Sequence, residues 1–159
     1  MNNAQHLAEL LESLKKSTGV LSTLAEDGGI DSAVVYFTCD NNLNLYFFTR
    51  ANSKKNQNIL NNSTISFTAY SEELLQTFQM RGDASSIDEP AEQAVAFESL
   101  FKIANKASGG NPPISQMMQS EIRVFKVIPL WARFSNFGIS EDGKRIEDLK
   151  VGEFLGDKS

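Results

Sequence analysis

The sequence predicts a mainly β protein, a closed or half-closed antiparallel barrel with peripheral helices, on three observations. Short segments alternate apolar and polar residues with a period of two; tight turns of Asp, Asn and Gly separate several of them; and three helical segments are too few to cover both faces of a parallel sheet. A length of 159 residues with 41% apolar residues suits one domain with a buried core.

Leu7, Leu10, Leu11 and Leu14 recur at i, i+3, i+4 and i+7, which predicts an amphipathic helix over 3–16, stopped by Thr18-Gly19. Residues 1–17 are therefore expected to form a helix packed on the barrel. Val20 to Ala25, the turn Glu26-Asp27-Gly28-Gly29, and Asp31 to Cys39 read as a β-hairpin, with Ala33, Val35 and Phe37 on one face. After Asp40-Asn41-Asn42, Leu43 to Thr49 forms a third strand with Leu43, Leu45 and Phe47 toward the core. Arg50 to Asn62 is a short polar helix capped by Ser53 and anchored by Ile59 and Leu60. Thr64 to Tyr70, with Ile65, Phe67 and Ala69 inward, and the segment from Leu74 to about Ser86 supply strands four and five. Asp88 is the expected cap of a helix that admits Pro90 near its start, with Ala94, Phe97, Phe101 and Ala104 as its buried stripe. Residues 108–113 form a loop. A sixth strand runs from about Glu121 to Phe134, with Pro129 at a bend or bulge. The barrel thus spans 18–137, and 138–159 is a polar tail.

Composition excludes several functions. The 15 Lys and Arg against 20 Asp and Glu give a net charge of −5, which argues against a nucleic-acid partner, because affinity for a phosphate backbone comes from Lys and Arg displacing counterions. One cysteine, Cys39, builds no disulfide framework, and one histidine, His6, builds no histidine-rich metal site. The N-terminus carries no basic segment followed by an apolar stretch, and no run reaches the roughly 18 apolar residues of a membrane span. A cytoplasmic protein with no membrane partner is expected.

The charges are unevenly placed. From Asn41 to Ser71 there is no acidic residue, whereas Arg50, Lys54 and Lys55 supply three positive charges; the rest of the chain has 12 basic and 20 acidic residues. Lys54 and Lys55 fall in the first turn of the helix capped by Ser53, where the backbone already presents partial positive charge and unpaired amides. Such lysines are unfavourable there unless an anion binds. Ser53, the free amides, the two ammonium groups and Thr49 at the end of the preceding strand could together hold a phosphate. The competing reading is a solvated basic turn.

The stretch Leu45-Tyr46-Phe47-Phe48-Thr49-Arg50-Ala51-Asn52-Ser53-Lys54-Lys55-Asn56-Gln57-Asn58-Ile59-Leu60-Asn61-Asn62 resembles the third strand and following helix of the pyridoxamine 5′-phosphate oxidase-like flavoproteins, the FMN-binding split barrels. The hairpin around Gly19 to Gly29 and the strand Leu75 to Ala84 are similar to flanking parts of that family, and the match runs from 19 to about 88, more loosely to Phe134. The resemblance implies a six-stranded split barrel that dimerises, with an FMN in each of two clefts between subunits and a small-molecule substrate. By position it puts Phe48 and Thr49 along the ribityl and phosphate, and Ser53, Lys54 and Lys55 on the phosphate. Ser32, Val34 and Tyr36 would approach the flavin from the second strand. Thr77 and Gln79 would be polar contacts from the partner subunit, with plain barrel surface as the alternative and Gln76 substituting under a strand slip. Trp131 would stack near the flavin edge from the partner, against a core or dimer-interface position.

True pyridoxamine phosphate oxidases carry an Arg and a Lys on the second strand, where this chain has Ser32 and Phe37, and a C-terminal Arg/His signature, where 135–159 has no histidine. The chain is more similar to the shorter general-stress-like members. It is expected to be an FMN-dependent oxidoreductase other than a vitamin B6 oxidase. A flavin carrier or stress-related sensor is the alternative, and a deazaflavin or haem barrel a third reading. No catalytic acid–base pair stands out and no metal site is expected.

Overall fold

A computed structural model describes residues 3–110, 121–138 and 149–156. Its elements are α1 (Asn3–Ser13), β1 (Thr18–Leu24), β2 (Ile30–Cys39), β3 (Leu45–Arg50), α2 (Lys54–Asn61), β4 (Thr64–Ser71), β5 (Gln76–Ser86), α3 (Pro90–Ala107), β6 (Ile122–Asn136) and β7 (Leu149–Leu155). The strands are ordered β3-β2-β1-β4-β5-β6-β7, all antiparallel, and β3 also pairs with β6. That last pairing closes a six-stranded barrel.

Period-two alternation fills it. Leu21, Val35, Phe37, Leu45, Phe47, Ile65, Phe67, Phe78, Met80, Phe125, Val127 and Phe134 are buried in one cluster. The aromatic rings meet in edge-on and stacked pairs, Phe37 on Phe67 at 4.8 Å and Phe47 on Phe125 at 5.2 Å between centroids. Helix α1 adds Leu7 and Leu11 to this core, Leu14 just after it joins them, and the helix lies against β6 and β7.

Strand β6 splits the barrel. Residues 122–127 pair with β3, and residues 131–136 pair with β7. Between them lies a bulge: Arg81 faces Trp131 and Gly82 faces Pro129, so that Leu130 has no opposite residue on β5. Pro129, which has no N–H to offer, sits where the ladder is interrupted, as its chemistry predicts. Gly82 is required there because a Cβ would collide with Val127 and lie 2.8 Å from the Ile128 carbonyl.

The structure departs from the sequence reading in six places. Strand β3 begins at Leu45, because Leu43 before it takes a left-handed conformation at φ 65°. Helix α1 ends at Ser13, and Lys15 adopts a left-handed conformation at φ 53°. Leu60 is exposed, so Ile59 is the apolar anchor of α2 and the buried polar residues Asn56 and Asn58 do the rest. Helix α3 is capped by Glu89, whose carboxylate accepts from the amides of Ala91 (3.1 Å) and Glu92 (2.7 Å), while Asp88 accepts from the Ser86 hydroxyl. Its buried residues are Ala96, Leu100 and Ala104, and Ala94 is exposed. Apolar residues surround this helix, Val95 on the outside included, so periodicity alone does not choose the phase. Strand β7 lies within the stretch read as a tail. The loop at 108–113 falls partly on residues 111–113, outside the described ones.

Candidate functional site

Strand β3 delivers Thr49 with its side chain buried, and four residues later Ser53 caps α2. The Thr49 and Ser53 hydroxyl oxygens are 2.8 Å apart. The Ser53 oxygen accepts from the Asn56 amide at 3.2 Å, and the Ser53 carbonyl accepts from Gln57. Among the described residues the amides of Lys54 and Lys55 are left as unbonded donors at the helix start. The connecting turn is held from both sides. The Ser53 amide donates to the Arg50 carbonyl at 3.0 Å, the Ala51 amide donates to the Glu121 carbonyl at 2.8 Å, and the buried Asn56 side chain donates to the Ala51 carbonyl at 2.6 Å.

The local stretch without acids acquires one through the fold. Asp31, on β2, accepts from the Lys54 ammonium at 3.0 Å and, on its other oxygen, from the Asn58 amide group at 2.9 Å. Asn58 is buried and also donates to the Thr23 hydroxyl at 3.0 Å. The Asn58 hydrogen bond, then the Lys54 hydrogen bond, holds the Asp31 carboxyl below its ordinary value. The pair of lysines is therefore not equivalent. Lys54 is ion-paired, whereas Lys55 is half-buried and, among the described residues, makes no ion pair.

Ser32, Val34 and Tyr36 project from the outer face of β2. The Ser32 hydroxyl meets that of Ser22 at 2.8 Å, Val34 is 68% exposed beside Val20, and Tyr36 stacks on Phe48 with centroids 6.2 Å apart. Phe48 also meets Phe97 of α3 at 6.5 Å, so α3 covers one side of this aromatic pair. Thr77 and Gln79 lie on β5, separated from β2 by β1 and β4, which is roughly 14 Å of sheet. Trp131 is half-buried at the β6 bulge, opposite Arg81 and Leu155. Within one chain, Thr49, Ser53, Lys54 and Lys55 come together and Ser32, Val34, Tyr36 and Phe48 share the neighbouring outer face, while Thr77, Gln79 and Trp131 do not join them.

Sequence reasoning missed Asp31, Asn58 and Thr23. Asn58 had a signal, since it follows Lys54 by four residues and so shares its helix face; Asp31, 23 residues upstream of Lys54, had none. A concavity of about 580 Å³ lies between β2, β3 and α3, lined among others by Cys39, Asp40, Tyr46, Glu92 and Val95. Its thiol is pushed up to about 12, first by burial and then by Asp40, which leaves Cys39 protonated at neutral pH. Among the described residues no group of His, Cys, Asp or Glu could hold a metal ion, and no helix is long and apolar enough to cross a membrane.

A closed six-stranded antiparallel barrel whose sixth strand carries a further strand, with a capped helix start beside it, defines a split-barrel protein. The chain belongs to the pyridoxamine 5′-phosphate oxidase family, whose model matches residues 4–136. No curated protein sequence matches it. Solved structures share the fold at low identity. PhzG from Burkholderia lata 383, in complex with tetrahydrophenazine-1-carboxylic acid, superposes with a TM-score of 0.64 at 18% identity, covering 92% of this chain and 90% of that one. A pyridoxamine 5′-phosphate oxidase-related, FMN-binding protein from Nostoc punctiforme gives 0.58 at 15%, covering 92% and 93%. HutZ, the heme storage protein from Vibrio cholerae, gives 0.59 at 14%, covering 76% and 87%.

Proposed function

We propose that this protein binds FMN at the start of α2 and acts as an FMN-dependent oxidoreductase on a small molecule, as a homodimer with the cofactor cleft between subunits. The observation that carries the reading is the Thr49–Ser53 hydroxyl pair, 2.8 Å across, set at a helix start where, among the described residues, two amides are unbonded and Lys55 makes no ion pair. These are donors, and a phosphate monoester is an acceptor through every oxygen that it presents. The donor set therefore fits that group. Family membership supports the choice of flavin, and the Nostoc punctiforme relative is named as FMN-binding.

Bound FMN would supply hydride or electron transfer, while the chain supplies binding and orientation. Of the bonded Thr49–Ser53 pair, the hydroxyl that does not donate to the other would give its proton to the phosphate, Lys55 would neutralise the phosphate, and Phe48 with Tyr36 would present an aromatic wall beside the ribityl. The partner subunit would bring Thr77, Gln79 and Trp131. The haem alternative has less support, because the sole histidine, His6, is exposed on α1.

An absorbance spectrum and mass spectrum of the purified protein test the cofactor. Titration with FMN and with riboflavin, which lacks the phosphate, tests the site: replacing both Lys54 and Lys55 by Glu should weaken FMN by a factor on the order of a hundred and leave riboflavin nearly unchanged. Equal losses, or none, would overturn the assignment. Reoxidation of the reduced, FMN-loaded protein by an added acceptor faster than free FMN separates an oxidoreductase from a carrier.

A further inference from the structure

The geometry points to Asp31 as a specificity-determining residue of the phosphate cradle, one that removes Lys54 from service and leaves Lys55 as the cation that meets the ligand. This rests on the phosphate reading above and goes beyond it, because that reading gives Asp31 no part in binding.

Lys54 and Asn58 are four residues apart on α2 and face the β1–β2 hairpin together. Asn58 is the fixed member. It is 5% exposed and its amide nitrogen bridges Thr23 on β1 and Asp31 on β2. Asp31 is thus held in place on one oxygen and presents the other to the Lys54 ammonium at 3.0 Å. Lys55 is turned by about 100° from Lys54 around the helix, on the stripe of Ile59 rather than that of Asn58, and has no acidic partner among the described residues. A phosphate at the helix start draws on Lys54 only by competing with a carboxylate that the fold has already oriented. The cradle then offers one formal positive charge plus the helix start, not two.

Five proteins decide the point, with binding of FMN and of riboflavin read by quenching of flavin fluorescence: wild type, Lys55→Gln, Lys54→Gln, Asp31→Asn and the double variant Asp31→Asn with Lys54→Gln. Lys55→Gln should lose FMN affinity about tenfold or more, and Lys54→Gln several-fold less than that. Asp31→Asn keeps an oxygen for Asn58 while releasing Lys54, so it should gain FMN affinity by roughly three- to tenfold. Adding Lys54→Gln to Asp31→Asn should abolish the gain. Riboflavin affinity, unchanged throughout, shows that the barrel is intact. Equal losses from the two lysine variants, or a loss of FMN with retained riboflavin in Asp31→Asn, would overturn the role given to Asp31 while leaving the phosphate site standing. An unchanged FMN-to-riboflavin preference in all variants would overturn the phosphate site itself.

Discussion

The hydroxyl of Thr49, the last but one residue of strand β3, lies 2.8 Å from that of Ser53, which caps helix α2. One bond thus joins a strand end to a helix start across a three-residue turn, and it orients the cap for the Asn56 amide. Replacing Ser53 by Ala removes the cap and should cost about 1 kcal/mol of stability, measured as a shift in the urea midpoint. FMN affinity should fall as well. A change in neither quantity would mean that the turn is held by Asn56 and the Arg50 carbonyl alone.

The outer faces of β1, β2 and β6 leave Val20, Val34 and Ile128 exposed, the last two by 68% and 52%. An apolar face of this kind is commonly covered by a second copy in a symmetric dimer. Light scattering at micromolar concentration should give a dimer mass, and Val34→Asp should shift it toward monomer. A monomeric wild type would remove the cleft between subunits along with the dimer.

Vitamin B6 oxidation should be absent or slow. The substrate's phosphate needs a second cationic pocket, and the second-strand positions that would supply it hold Ser32, bonded to Ser22, and Phe37, which is 5% exposed in the core. Formation of pyridoxal phosphate at roughly 1 per second or faster would contradict this.

The Asp31 carboxyl titrates below its ordinary value of 3.8 because Asn58 and Lys54 stabilise its charged form. A depressed folded value contributes stability above the unfolded one and loses it as the pH falls through the folded one. The advantage of wild type over Asp31→Asn in urea midpoint should hold at pH 6, narrow below about pH 4 and shrink further with acid. A constant difference across that range would show that the charge of Asp31 contributes nothing to folding.

At the β6 bulge the sheet has no room for a side chain on Gly82, where the obstacle at 2.8 Å is a backbone carbonyl. Gly82→Ala should cost about 1–3 kcal/mol in denaturant unfolding, the usual range for overpacking. An unchanged midpoint would show that the strands can part at this point.

The strands and their inward faces were legible because alternation is a local property. Leu45 and Phe47 are each fully buried, as their spacing predicts, whereas Leu43 is buried from outside the strand, at φ 65°. The Ser53 cap was legible for the same reason, since a cap bonds an amide three residues away. Where local preference was divided, the chain alone did not choose: Asp88 and Glu89 are both able to cap α3, and apolar residues run around that helix on all sides.

By itself the sequence determined an antiparallel barrel, most of its core-facing residues, and a cationic helix start after the third strand. Only the tertiary structure decided that β3 closes on β6, that β7 continues the sheet, and that Asp31 comes to Lys54 from 23 residues upstream. Strand order and ion pairing of this kind depend on which segments meet in space. Those meetings are set by the burial of a whole core and by loop closure, and no short window of residues carries them.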